Sequence, residues 1–392
     1  MLARLLAMTA LNLRTLPARW GAAAVVVVCM AGVTAVMVSM LAMADGFRKT
    51  YATSGRADRV IVLATGETFE GASSIGREQA PLLLDAPGLR RLPGGQPAAS
   101  LERYAVAGTR MKSGADGNLV VRGVGAHVLD VRPEVRLVEG RWFQQGLREL
   151  VVGRGAQAQF EGLAPGATVT LSDAAWTVVG TFEAGGSAFE SEAWGDVETV
   201  MTAFDLAQYS SMTALLESPE SFAACRDFIA AQPRLQHAAL SEPEYYEGQT
   251  GILGRGMRAI GYLVAAIMGL GALFAAINTM YASIESRSVE IGTLRAIGFQ
   301  GFPIVVSVLL ESVALCLLGA ALGGAAAALA FDGHIISTAN GASFTQIAFA
   351  FSVGPGLLAQ GALLACVIGL LGGLPPALRA ARMPVVEALR AL

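Results

Sequence analysis

The amino-acid sequence predicts an α-helical membrane protein with four transmembrane helices plus a large mixed α/β extracytoplasmic domain between helices 1 and 2. Three observations predict it. The 392-residue chain is 54% hydrophobic and only 15% charged, a balance typical of membrane proteins. Four apolar runs each reach the roughly 20 residues that a helix needs to cross a bilayer. A polar stretch, residues 45–258, separates the first run from the other three and carries strand-like alternation.

Residues 1–19 read as an amphipathic helix lying along the cytoplasmic membrane face. Arg4 and Arg14 are its polar positions, and Leu2, Leu5, Leu6, Leu13 and Leu16 its apolar ones. The alternative is a simple extension of the first span. Pro17 breaks or redirects the helix before that span. The first apolar run, 20–44, holds no charge. The rival reading is a signal peptide with Ala42-Met-Ala44 as its cleavage site, but at about 25 residues the run exceeds a signal-peptide core of about 15, which favours a membrane span.

The segment 45–258 reads as a globular domain of one or two lobes. Period-two signals recur in DRVIVLATG, GNLVVRGVG, RELVVGRG, ATVTLSD and WTVVGTFEAGG. Pro219 to Gln232 reads as helix. The Gly/Pro-rich stretch 92–97 is the expected lobe boundary, and residues 68–97 and 183–196 are expected to be looser. The acids of FESEAWGDVE lack EF-hand spacing and read as a solvated loop.

Three more spans follow, 259–282, 302–330 and 356–374. Between the second and third lies a charged, helix-forming segment, 283–301, and after the fourth a tail, 375–392. Arg4, Arg14 and Arg19 precede the first span, and Arg379, Arg382 and Arg390 follow the last, while the 331–355 loop has no Lys or Arg. The positive-inside rule then puts both termini and the 283–301 segment in the cytoplasm, and 45–258 in the periplasm.

Several function classes find no support. A net charge of −3 gives no reason for a nucleic-acid partner. The lysines, Lys49 and Lys112, follow no glycine, so no GxxxxGK[ST] phosphate loop occurs. If the protein depends on ATP, another chain must bind it and its magnesium, and no cofactor is expected here. His127, His237 and His334 are scattered without metal spacing, and no G-x-S-x-G elbow occurs. Cys29, Cys316 and Cys366 fall in apolar runs, leaving Cys225 alone in the polar region, so no disulfide framework is implied.

The segment NTMYASIESRSVEIGTLRAIGF resembles the hallmark of FtsX-like permease domains, whose core runs Arg-x-x-Glu-Ile-Gly-x-Leu-Arg-Ala-x-Gly. Here that core is Arg287, Glu290, Ile291, Gly292, Leu294, Arg295, Ala296 and Gly298, with Asn278 upstream. One departure is Ser286, where the family usually has Glu; Glu285 stands one position earlier. The closing LPPALRAARMPVVEALRAL is similar to the family's tail through Pro376, Ala377, Ala380, Pro384, Glu387, Ala388, Leu389 and Arg390. The stretch ELVVGRGAQAQFEGLAPGATVTLSDAAWTVVGTFEAGGSAFESEAWGD is similar to the periplasmic core domain of MacB-type permeases. The resemblance implies a permease subunit of a mechanotransmission-type ABC transporter, pairing with a second permease as a homo- or heterodimer. Each permease would dock on a cytoplasmic ABC ATPase. A periplasmic adaptor and an outer-membrane channel are further candidate partners, alongside membrane lipid. The transported substrate stays open. The competing reading is a membrane-anchored binding or scaffold protein that transports nothing.

On residues alone, a short cytoplasmic helix fixed between two spans must move them when pushed. Arg287, Ile291, Leu294 and Arg295 share one face of an ideal helix, forming a mixed surface with cationic edges suited to a partner's cleft. Gly292 allows close backbone approach and Gly298 a helix stop. Glu285 and Glu290 complete the coupling set, and Arg287 can pair with Glu290. Glu311 is an acid within span three. It costs about 2.5–3.5 kcal/mol at mid-helix, so it should face protein. Its role stays open between a hydrogen bond across a dimer, a structural bond to Asn278 or Ser307, and a proton path. Gly319, Gly323 and Gly324 mark a close-packing face expected, with span two, at the dimer interface.

Overall fold

The structure, a computed structural model, describes residues 20–232, 234–297, 301–339 and 345–384. In chain order it opens with α1 (Trp20–Ser54), β1 (Arg59–Ala64) and α2 (Ala80–Leu84). Next come β2 (Ala99–Arg110), β3 (Asp116–Val124), α3 (Val128–Val131), β4 (Arg136–Gly140), β5 (Glu149–Gly153) and α4 (Arg154–Gln159). They are followed by β6 (Thr168–Leu171), β7 (Ala174–Glu183), β8 (Glu192–Asp196), α5 (Val197–Ala203) and β9 (Ser211–Leu215). Then come α6 (Phe222–Ala231), β10 (His237–Ser241), α7 (Glu242–Glu285), α8 (Ser288–Ala296) and α9 (Gly301–Phe331). The hairpin β11 (Ile335–Ala339) and β12 (Gln346–Ala350) and the helix α10 (Pro355–Arg382) complete the described chain. The expected N-terminal amphipathic helix and residues 385–392 of the tail, including Glu387, Ala388, Leu389 and Arg390, lie outside the described residues.

Two compact units result. The membrane unit takes residues up to Asp45, then Gly256–His334, then residues from Phe351 on. The outer unit takes Gly46–Arg255 and Ile335–Ala350. Among the described residues, four helices are long and apolar enough to span a bilayer, within α1, α7, α9 and α10. They run beyond the apolar runs at several ends, because a helix continues wherever its backbone bonds can.

In the membrane unit, Met30, Ala276, Ile304, Cys316, Ala365, Ala377 and Ala380 belong to one buried cluster. Small residues set its spacing, since lipid offers no hydrophobic drive and close backbone contact supplies dispersion instead. A Cβ at Gly319 would stand 2.6 Å from the Val27 carbonyl, one at Gly323 would run into the Ala31 carbonyl, and one at Gly324 would meet Leu358 at 2.9 Å. The expectation that these glycines face a second permease is thereby corrected: their open sides are filled by α1 and α10 of the same chain. On α10, Gly369 and Gly373 receive Val313 and Ser312 of α9 in the same way. Gly323→Ala is expected to cost about 1–3 kcal/mol of stability in detergent by forcing α1 from α9. Gly271→Ala, whose Cβ meets nothing, is the neutral control in the same thermal unfolding series.

In the outer unit the sheet order is β10-β1-β9-β2-β3-β8-β5-β7-β4, with β6 on β7. It is mixed: β3–β8 and β5–β7 are parallel and the other pairings antiparallel. Two cores flank it. One gathers Val60, Val62, Leu83, Met212, Cys225 and Ile229, the last two from α6. The other gathers Leu119, Val121, Leu150, Phe160, Trp176 and Val200. The lobes join along β2, which pairs with β9 up to Glu102 and with β3 from Arg103 onward. The boundary is therefore inside a strand. The 92–97 stretch is a tight turn before it, closed by Leu92 N–H to Gln96 O at 2.8 Å.

Two further sequence expectations are corrected here. FESEAWGDVE is no solvated loop: β8 is buried throughout and lies between β3 and β5. Nor is residues 183–196 a loose stretch, since a 3-10 turn, Ala188–Ser191, leads straight into that strand. The 331–355 loop holds a hairpin that belongs to the outer unit. It is seated there by Ala348 N–H to Ser191 Oγ at 2.9 Å and by Phe349 packed edge-on against Phe47 at 5.5 Å.

Candidate functional site

The charged segment begins where α7 ends at Glu285. Arg287 takes a non-helical conformation that caps α8, so the chain turns through two residues before the next helix. The Arg287 side chain is buried. Its Nη1 lies 3.3 Å from Glu311 Oε2, and its Nε lies 3.4 Å from Glu290 Oε2. Glu311 is itself 6% exposed, so a buried ion pair ties the segment to α9. Arg295 donates from Nη1 to the Met383 carbonyl after α10. Ile291 joins the core that holds Ile284 and Ile304, and Gly292 is buried beside it.

These placements change the reading of the helix face. The arginines expected to present cationic edges to a partner are spent inside the chain, because a buried guanidinium needs carboxylate or carbonyl acceptors and finds them on α9 and after α10. What α8 and its approach expose are Glu285, Ser286, Glu290, Thr293, Ala296 and Ile297, an acidic surface with two apolar residues. Asn278 is exposed on α7. Gly298 lies outside the described residues, as does the Leu294 side chain.

The outer unit holds a second constellation that the sequence reading missed. Arg122, on β3, donates to Glu70 Oε1 and Glu102 Oε2 at 2.8 Å each, and its Nε donates to Glu192 Oε2 at 2.7 Å. Arg132 reaches Glu242 Oε1 at 2.6 Å. Arg59 joins Glu134 by two bonds and Glu242 by one at 3.4 Å. Phe189 stacks beneath Arg132 at 4.2 Å. Burial pushes the Glu70 carboxyl up, but Arg122 and Ser211 outweigh it and hold the group below its ordinary value. Burial also pushes up Glu102, and there Arg132 and Arg122 do not cancel it, so the group sits above its ordinary value. The sequence signal was faint: an arginine in mid-strand in GNLVVRGVG and another in DRVIVLATG.

Four apolar helices, a two-lobed mixed-sheet domain, and a charged segment clamped between two of the helices together define a membrane permease with a large extracytoplasmic domain. Residues 22–232 match the family described as MacB-like periplasmic core domain, and residues 262–385 match FtsX-like permease C-terminal. The chain belongs to the FtsX/MacB-type permease family of ABC transporters. Among its relatives is the macrolide export ATP-binding/permease protein MacB of Shewanella oneidensis, 35% identical over 33% of this chain and 18% of that one. MacB 1 of Aeromonas hydrophila is 26% identical over 69% of this chain and 43% of that one. The chain thus spans less than half the length of these relatives. Two solved structures are similar. The extracellular domain of YknZ from Gram-positive bacteria matches with TM-score 0.37 at 15% identity, over 46% of this chain and 99% of that one. The periplasmic region of MacB from Actinobacillus actinomycetemcomitans matches with TM-score 0.37 at 12% identity, over 47% and 89%. Four apolar helices and a periplasmic-type domain fit a multi-pass inner-membrane protein.

Proposed function

We propose that this chain is a permease subunit that couples ATP hydrolysis by a separate cytoplasmic ABC ATPase to movement of its periplasmic domain, driving export or extraction of a substrate at the periplasmic side. The observation that carries this reading is the clamped segment between α7 and α9. Arg287 fixes it to α9 through Glu311, and Arg295 fixes it to the end of α10. A push on such a segment is delivered to the spans instead of being lost in a loose loop. The exposed Glu285, Glu290 and Ile297 form the docking face, which fits an ATPase cleft with basic walls and an apolar floor.

The arginine bias near the first and last spans supports cytoplasmic termini and a periplasmic 45–258 segment. The relatives are named for macrolide export; for this chain the proposal is export or extraction as a class. A second permease completes the assembly, and Asn278, an exposed amide on α7, favours a protein neighbour over lipid there.

The test is co-purification with the ATPase and stimulation of its turnover. Reversing both acids, Glu285→Lys with Glu290→Lys, is expected to weaken ATPase capture by more than about tenfold while the chain stays folded, since like charges at a docking rim cost several kcal/mol. A chain that brings down no ATPase, with both reversals harmless, is instead a membrane-anchored binding protein. Labelling of residue 290 from the same side as residues 100–200 also ends the coupling reading.

A further inference from the structure

The buried ionic network of the outer unit does not balance. Four carboxylates, Glu70, Glu102, Glu192 and Glu242, and three guanidiniums, Arg59, Arg122 and Arg132, have side chains no more than 8% exposed. Glu134, partly open to solvent on Arg59, adds to the acidic surplus. Burial holds the neighbouring Tyr51, Tyr245 and Tyr246 far above their ordinary values, so they stay neutral. A surplus carboxylate in a dry interior takes up a proton, because nothing solvates its charge. Hydrogen bonding singles out which acid. Glu70 accepts two bonds from Arg122 and one from the Ser211 hydroxyl. Glu192 accepts two from Arg122 and one from the Trp194 indole. Glu242 accepts from Arg132, from Arg59 and from the Arg56 amide. Glu102 accepts one, from Arg122 Nη1 at 2.8 Å. Its Oε1 is buried without a hydrogen bond among the described residues, and Arg132 Nε stands off at 3.9 Å. Glu70 shares Arg122 Nη1 with it and adds like-charge repulsion.

We propose that Glu102 is a proton-binding site, and that its proton makes the junction of the two lobes a pH-responsive lock. As pH falls from neutral, Glu102 is the first of the four buried acids to be protonated, on Oε1, where a bare anionic oxygen is least compensated. Burial raises Glu102 above the ordinary carboxyl range, while at Glu70 burial is outweighed by Arg122 and Ser211. The position gives the proton its leverage. Glu102 is the last β2 residue paired with β9, and from Arg103 the strand pairs with β3, which carries Arg122. With the proton bound, three buried anions meet three buried guanidiniums. Without it, uncompensated charge sits at the strand the lobes share, and the junction opens more readily. Because the folded value is raised, the proton's contribution is full below the ordinary carboxyl range and is lost as pH rises through the raised value. The lock is independent of ATPase docking.

The test is amide exchange on β2 at residues 99–106 in the full chain in detergent, comparing wild type with Glu102→Gln, which keeps the shape of the protonated acid. The ratio of wild-type to variant opening at each pH cancels the other titrating groups. Between pH 7 and pH 5 that ratio is expected to fall at least about threefold in total, and by no more than about tenfold per pH unit, the slope of a single proton. At pH 7 Glu102→Gln should open no more than wild type. Glu70→Gln, which disrupts charge-assisted bonds from Arg122, should open at least about tenfold more. In ester-free detergent, the infrared carbonyl band of a buried carboxylic acid is expected to grow in the wild-type chain over the same pH range. That band reads the proton directly and decides the question if Glu102→Gln does not fold. An opening ratio flat with pH, equal tolerance of the two glutamine variants, or absence of the band overturns the proposal.

Discussion

Arg122→Met is expected to destabilise the outer unit by about 3–5 kcal/mol, the cost of removing one partner from a buried ionic cluster. The methionine fits the volume of the arginine stem but leaves Glu70, Glu102 and Glu192 facing one another without the cation that joins them. Amide exchange on β3 and β8 is the suitable readout, because it reports this unit apart from the membrane helices. The variant also carries a pH signature. In the wild-type protein Glu70 titrates below its ordinary value. Its contribution is present above the unfolded carboxyl range and is lost as pH falls through the lowered folded value. In the variant, burial without a cation raises the carboxyls instead. Their folded form then gains protons, so the variant recovers stability as pH falls and loses it as pH rises through the raised values. A loss under about 1 kcal/mol at neutral pH, with the wild-type pH trend intact, contradicts this account of the cluster.

The second large effect lies at the membrane segment. Glu311→Ala removes the buried carboxylate from Arg287, a guanidinium only 8% exposed, leaving it the exposed Glu290 at 3.4 Å, and is expected to cost about 3 kcal/mol in thermal or chemical unfolding. Replacing both partners, Arg287→Met with Glu311→Met, removes the buried charge and should restore most of that loss, as paired apolar replacements of buried ion pairs do. The double variant separates stability from coupling. If the pair is a mechanical tie, the double variant folds and captures the ATPase, but shows reduced transport per ATP hydrolysed. Full transport in a folded double variant would make the pair a packing device alone.

The four spans were legible because hydropathy needs no partner to be read. The strands β1, β3, β5, β6 and β7 were legible because their strand-like patterns survive in the sequence. The misses share a cause. On β2 the Glu102-Arg103 pair interrupts the apolar pattern, and β8 opens on an acid. The first was not singled out as a strand and the second read as a solvated loop, since an inward charge is affordable only when its counter-charge arrives from elsewhere. Glu70, Arg122 and Glu192 come from a loop and two strands, and no local window contains their pairing. The arginines of the 287–295 segment failed for the same reason: Glu311 and the Met383 carbonyl that hold them lie on other helices. The glycines of α9 announced close packing correctly; which neighbour fills a glycine's open side depends on how the helices assemble, and small-residue spacing does not encode that.

The shared strand β2 has a consequence for biogenesis. Strand β1 emerges early from the ribosome but pairs on both sides with late arrivals, Val60 with Ala214 and with Ser241. The lobe built on β3, β8 and β5 is complete before either partner appears. The first lobe must therefore wait, its apolar edge open, while the second folds. The hairpin joins later still, once α9 has been threaded into the bilayer. A nascent chain arrested before residue 335 would present an unfinished outer unit, a natural substrate for holding chaperones and proteases.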